Sequence, residues 1–140
     1  MPARMLSKPQ IEARSEFRQQ LRRFERNSED MAKKKGITFP QYLLMLHVKG
    51  MPGRSWALVG ELAGRMLLEH HSVVGLVSRC EAAGLVKRKR SEEDARQVEV
   101  HLTAKGERTM NAVAAAQSDG LNELLRLLAA TAKRPARARA

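Results

Sequence analysis

Apolar positions recur along this chain at two periods, and the switch between them divides it. From about Pro9, in QIEARSEFRQQLRRFERNSEDMAKKKG, Phe17, Leu21, Phe24, Ser28 and Met31 recur at alternating steps of four and three residues. That spacing predicts a long helix with a narrow apolar stripe on a charged rod. A stripe so narrow packs on one neighbour or on a partner chain. Lys33 to Lys35 suit the negative end of the helix dipole, and Gly36 supplies a C-cap. Thr38-Phe39-Pro40-Gln41 has the form of a capping box with proline in the first turn. It predicts a second helix over Phe39 to Lys49, largely buried through YLLMLHV, which Gly50-Met51-Pro52-Gly53 ends. Ser55-Trp56-Ala57 reads as a short extended piece, Leu58 to Met66 as a short helix, and the stretch MLLEHHSVVGLVSRCEAAGL as a turn and a further helix.

After Gly84 the period falls to two. LVKRKR, the polar turn SEEDAR and QVEVHLT predict a hairpin, with Val98, Val100 and Leu102 on one face and Glu99 and His101 on the other. From Thr103 the helical period returns through Met110, Val113, Ala114, Gln117, Leu121, Leu124, Leu125 and Leu128, and Gly120 marks a bend or a close approach. The closing KRPARARA is basic and proline-containing, with nothing to pack, and is expected to be disordered. The order is mainly α with a small β-wing. A helix–turn–helix followed directly by a two-stranded basic wing is a DNA-binding arrangement.

Composition narrows this picture. A chain of 140 residues with 43% hydrophobic and 29% charged residues suits one soluble globular domain. The formal net charge of +11 favours a polyanionic partner. One cysteine excludes an intramolecular disulfide framework and fits a reducing compartment. No stretch has the apolar core of a signal peptide or a membrane span, so a cytoplasmic protein with no membrane partner is expected.

The conspicuous residues of MLLEHHSVVGLVSRCEAAGL invite chemistry that helical phasing removes. At 100° per residue, Val73, Leu76, Val77 and Cys80 share one side, whereas His71, Val74, Gly75, Ser78, Arg79 and Ala82 lie on or beside the other. Cys80 therefore reads as a small core hydrophobe rather than a redox sensor. His70 and His71 are consecutive, point apart, and cannot pair on a metal as an i, i+4 couple would. No nucleophile elbow, phosphate-binding loop, HExxH or paired-cysteine motif occurs, so neither catalysis nor a metal or cofactor is expected. The outward face is lean, and Gly75 at its centre costs roughly 1 kcal/mol of helix stability relative to alanine. A tolerated surface glycine and a close approach of DNA that offsets the cost are equal readings of the helix alone, and the basic wing that follows favours the second.

At this point the residues resemble a known family. LVGELAGRMLLEHHSVVGLVSRCEAAGLVKRKRSEEDARQVEVHLTAKG is similar to the MarR family of winged helix–turn–helix transcriptional regulators, through ELA in the first helix of the motif, EAAGLV at the end of the recognition helix, and D-x-R followed by V-x-V-x-LT-x-KG in the wing. The motif-bearing part spans Leu58 to Gly106, and the flanking helices extend the likeness to nearly the whole chain. The resemblance implies an N-terminal dimerisation helix over 1–36, a winged helix–turn–helix over 37–106 and C-terminal dimerisation helices over 107–132, with the basic tail at 133–140. It implies a homodimer joined through Phe17, Leu21, Phe24, Leu121, Leu124, Leu125 and Leu128, although intramolecular packing accounts for part of each stripe.

By the same likeness, His70, His71, Ser72, Val74, Gly75 and Arg79 belong to the part of the helix that enters the major groove of double-stranded DNA. Arg96 matches a wing arginine of the minor groove, Asp94 the acid that holds it, and Lys87, Arg88, Lys89 and Arg90 would meet phosphates. Glu69 and Leu58 stand where the family has small capping residues, and Gly75 where a larger polar residue is common. The family also implies a small effector of the aromatic-acid class, for which His47 is the polar residue to inspect, against a plain core role. The reading is a regulator, more a repressor than an activator, on a pseudo-palindromic operator. A nucleoid-type architectural binder and a winged-helix protein-interaction module are the alternatives.

Overall fold

The computed structural model describes residues 1–132, so the basic tail lies outside the described residues. In chain order the elements are α1 (Lys8–Lys34), α2 (Phe39–Lys49), β1 (Trp56–Leu58), α3 (Val59–Met66), α4 (His70–Ala82), β2 (Val86–Arg90), β3 (Val98–Leu102), α5 (Ala104–Ala116) and α6 (Ser118–Ala132). They form two compact units, one over residues 31–115 and the other from residues 1–30 with the segment from 116 onward.

The larger unit is the winged helix. Its core gathers Leu44, Met45 and Val48 of α2, Leu62 of α3, Val73, Leu76, Val77 and Cys80 of α4, Val86 and Val100 of the strands, and Met110 and Val113 of α5. The capping box at Thr38 is formed in full: the Thr38 hydroxyl accepts from the Gln41 N–H, and the Gln41 side chain accepts from the Thr38 N–H. The sheet has the order β1-β3-β2, with both pairings antiparallel. The two-stranded wing thus gains a third strand from the short WAL segment, and Trp56 pairs with His101. That addition half-covers Glu99 and His101, which the period-two pattern had left open.

Three helices whose C-terminal ends lie within residues 31–115 finish in the same way, and one pays for its residue choice. At the end of α1 the Ile37 N–H donates to the Ala32 carbonyl and the Gly36 N–H to Lys33, with Gly36 at φ 80°. At the end of α4 the Leu85 N–H donates to Cys80 and the Gly84 N–H to Glu81, with Gly84 at φ 75°. Both are Schellman motifs with glycine in the left-handed position. Helix α3 repeats the pattern, Leu68 N–H to Ala63 and Leu67 N–H to Gly64, but a leucine at φ 53° holds the left-handed position. Leu67 is 90% exposed, so no packing offsets the strain of roughly 1–2 kcal/mol that a side chain meets there. Leu67→Gly is expected to raise stability by about 1 kcal/mol after the added chain entropy of glycine. Urea unfolding checks this, and an unchanged or lower midpoint would contradict it.

In the other unit, α1 and α6 meet around Phe24 and Ser28. The single O–H of Ser28 is shared between the Phe24 carbonyl at 3.0 Å and Gln117 Oε1 at 3.2 Å, and both side chains are buried. Helical structure breaks at Gln117, between α5 and α6, and not at Gly120. Gly120 is instead the close approach: a Cβ there would stand 3.5 Å from the Phe24 ring. Leu124 and Leu127 are half-buried, whereas Leu121, Leu125 and Leu128 are exposed. Of the α1 stripe, Phe17, Leu21 and Phe24 are half-buried.

Candidate nucleic-acid interface

Helix α4 has the two faces that its phasing predicts. Val73, Leu76, Val77 and Cys80 are buried, and His70, His71, Val74, Ser78 and Arg79 are exposed, with Ser72 and Gly75 half-buried between them. The helix opens at Glu69, whose carbonyl accepts from Ser72 and Val73 N–H but whose side chain caps nothing. The His70 and His71 N–H groups are therefore left for solvent or an anion. Leu58 likewise lacks a capping side chain, and only the reciprocal half of a capping box forms at the start of α3. Glu61 accepts from the Leu58 N–H at 2.8 Å and is paired with Arg54, which holds its carboxyl below the ordinary range. Arg54 in turn lies 4.3 Å over the Trp56 ring, and Trp56 stacks on His101. His101 is 2.8 Å from Glu99. This chain of contacts, Glu61 through Arg54 and Trp56 to His101, fixes the root of the wing against the start of α3.

Cys80 is inert by construction. It is fully buried, and burial pushes its thiol up to about 11, against a smaller opposing effect of Arg79. Native protein at neutral pH is expected to resist a thiol reagent such as DTNB and to react once unfolded in guanidinium. Rapid labelling of the folded chain would contradict this. No group of three or more His, Cys, Asp or Glu residues among the described residues could hold a metal ion. His47 is half-buried on α2, and burial, then the charge of Arg65, lowers its pKa and so favours the neutral ring.

The wing carries two different kinds of arginine. Arg96 sits at the hairpin turn with its side chain 91% exposed. Asp94 holds it three times over: Oδ1 accepts from the Arg96 N–H at 3.0 Å and Nε at 3.1 Å, and Oδ2 accepts from Nη2 at 3.2 Å. The Arg96 guanidinium, and then its backbone N–H, keep the Asp94 carboxyl below the ordinary carboxylate range. Arg88 points the other way, back to α4. Its Nη2 donates to the Ser78 hydroxyl, and its backbone N–H donates to Glu81 Oε2 at 3.1 Å. Its Nε lies 3.7 Å from the other Glu81 oxygen. The side chains of Lys87, Lys89 and Arg90 are exposed and make no hydrogen bond or ion pair among the described residues.

An open cleft of about 450 Å³ separates α4 from the wing, lined by Val59, His70, Val74, Arg88 and Arg96 among others. The structure thus sets His70 and Val74 of α4 across a largely apolar cleft from Arg88 and Arg96 of the wing. Glu81 is the residue that sequence reasoning missed. It lies on the outward side of α4 and gains a role only when the hairpin folds back over the helix, which no local spacing announces.

These features define a class: a DNA-binding winged helix–turn–helix of the kind used by transcriptional regulators. A model of the MarR family matches residues 35–97. The HTH-type transcriptional regulator MgrA of Staphylococcus aureus is 37% identical over 112 residues, which cover 72% of this chain and 74% of MgrA. The HTH-type transcriptional regulator TtmR of Methylorubrum extorquens (strain PA1) is 40% identical over 70 residues, half of this chain but only 34% of TtmR. Among solved structures, that of AbsC, a MarR family transcriptional regulator from Streptomyces coelicolor, superposes with a TM-score of 0.72 over 90% of this chain and 84% of AbsC, at 22% identity. The chain belongs to the MarR family of transcriptional regulators. Its described residues include no helix long and apolar enough to cross a membrane.

Proposed function

We propose that this regulator acts in the cytoplasm as a homodimeric, ligand-responsive repressor on a pseudo-palindromic operator. In this reading His70, His71, Ser72, Val74, Gly75 and Arg79 face the major groove, and Arg96, steadied by Asp94, enters the flanking minor groove. Arg90, Lys87 and Lys89 meet phosphates, and Arg88 chiefly braces the wing against the recognition helix. The observation that carries the proposal is Arg96 itself. An arginine 91% exposed, yet held by a carboxylate through three hydrogen bonds, is ordered in advance for a partner outside the chain.

Dimerisation is supported by α6, where Leu121, Leu125 and Leu128 form an exposed apolar row at helical spacing. Phe17, Leu21, Phe24 and Leu124 would continue that contact inward. Two-fold symmetry then asks for half-sites about one helical turn apart. An effector of the aromatic-acid class, by family likeness, would release DNA by favouring a dimer whose wings no longer match that spacing. His47 would meet it as a neutral hydrogen-bonding group.

Footprinting on genomic duplex tests the reading. The expected result is protection of discrete palindromic sites, with affinity falling steeply as salt rises. Uniform protection of all duplexes would instead make this an architectural coat. No duplex binding at all would leave a protein-interaction module.

A further inference from the structure

Gly75 leaves an empty place at the centre of the exposed face of α4, and the structure fills it with a side chain of the same helix. The Arg79 guanidinium lies back across the glycine, with Nη1 3.4 Å from the position that a Cβ of residue 75 would take. Arg79 is exposed and makes no hydrogen bond or ion pair among the described residues, so its guanidinium keeps all five donors free. Its neighbours on this face do not compete for the space. Ser78 is already engaged, donating to the Val74 carbonyl at 3.1 Å and accepting from Arg88. Val74 and Ala82 have no polar reach.

We infer that Gly75 and Arg79 form one reading unit, in which glycine serves as a saddle that lets Arg79 present its guanidinium at the level of residue 75. On this inference, which rests on the DNA-binding role proposed above for α4, the unit selects a guanine in each half-site. The planar fork of arginine matches the O6 and N7 acceptors of guanine on the major-groove edge, and no other base offers that pair. Glycine at 75 therefore acts on operator choice through Arg79, and the vacancy is not for DNA itself. A longer side chain at 75 would occupy the saddle and lift the guanidinium away. A methyl group would only touch it, since 3.4 Å is ordinary van der Waals contact.

Selection from a random-sequence duplex library, with the full chain and four variants, tests this. The wild type is expected to enrich one guanine per half-site. Arg79→Ala should reduce discrimination at that position roughly ten- to a hundredfold. Arg79→Lys should lose the same preference while keeping most of the overall affinity, because an ammonium can meet phosphate but cannot make the fork. Gly75→Gln should relax or change the same position, and adding it to Arg79→Ala should bring no further loss there. An unchanged guanine preference in Gly75→Gln or in Arg79→Lys overturns the inference, as does independent action of the two residues at different positions. A wild-type chain that enriches no sequence overturns both this inference and the operator proposal. A wild type that enriches a palindrome which the variants leave unaltered overturns the inference alone.

Discussion

Gly106→Ala is expected to cost about 3 kcal/mol or more, near or above the upper end for overpacking, because the added atom has nowhere to go. A Cβ on residue 106 would stand 2.0 Å from the carbonyl oxygen of Leu85 and 2.9 Å from its carbon. Both are backbone atoms, so no rotamer change relieves the overlap. The Leu85 carbonyl is itself fixed, since it accepts from the Thr103 N–H at 3.0 Å. Around it, the Thr103 hydroxyl donates to the Gly84 carbonyl at 2.6 Å and accepts from the Gly106 N–H at 3.0 Å, while Lys105 Nζ donates to the Ala83 carbonyl. The first turn of α5 is thereby laced to the end of the recognition helix, and the junction cannot open without breaking that lacing. For a unit of this size the loss corresponds to a fall in melting temperature on the order of 10–20 °C. A midpoint within about 2 °C of wild type, by circular dichroism, would refute the close approach.

The same junction shows how far sequence reasoning reaches. Helix α1, the capping box at Thr38 and the buried side of α4 could all be read locally, because each rests on spacing within one turn or one stripe. Gly36 could be read as a C-cap for the same reason. Gly106 could not, since its clash partner Leu85 belongs to a different element. Leu67 could not either, because leucine carries no signal for the left-handed position that it occupies. The third strand was legible only as an extended piece: three residues, Trp56–Leu58, carry too little alternation to show a strand, and their pairing with β3 is long-range. The break at Gln117 was missed because the apolar period runs unbroken from Met110 to Leu128, and glycine at 120 looked the better breaker.

The exposed face of α4 was legible by phasing, whereas the Asp94–Arg96 contact was expected only from the likeness of D-x-R to the family's wing. The division of labour among the basic residues was not legible. Arg88, Arg90, Lys87 and Lys89 look alike in LVKRKR, yet Arg88 alone is drawn onto the helix by Ser78 and Glu81. Charge counting treats four such residues as equal, whereas an ion pair and two hydrogen bonds remove one of them from the free set. For Gly75 the sequence supported space on the helix surface, and only side-chain placement shows that Arg79 lies in it.

Arg96→Ala should weaken duplex binding on the order of ten- to a hundredfold, the loss of a charged hydrogen-bonding group worth about 1.5–3 kcal/mol. The side chain is 91% exposed and its ion pair with Asp94 lies at the surface, so the melting temperature should hardly move. Loss of binding with the fold intact would then point to an interaction made outside the chain. Asp94 allows the source of the effect to be separated. Its carboxylate brings a negative charge towards DNA, which alone would weaken binding, yet it also fixes the guanidinium and saves the cost of ordering it. Asp94→Asn keeps an acceptor for the Arg96 N–H and removes the charge, so its loss should be smaller than that of Arg96→Ala. In the double variant, Asp94→Asn should add little to Arg96→Ala, because the acid acts through the arginine. The discrimination lost in both single variants should be for A·T-rich flanks, whose narrow minor groove attracts an arginine. Because Arg96 lowers the Asp94 pKa, the folded-state carboxylate stays charged through neutral and mildly acidic pH. The clamp is released only as pH falls through that depressed value, so the ratio of wild-type to Arg96→Ala affinity should stay flat across the neutral range. Fluorescence anisotropy with A·T-rich and G·C-rich flanking duplexes measures all of this. Equal affinities for wild type and Arg96→Ala on the A·T-rich duplex would remove the wing from the binding site.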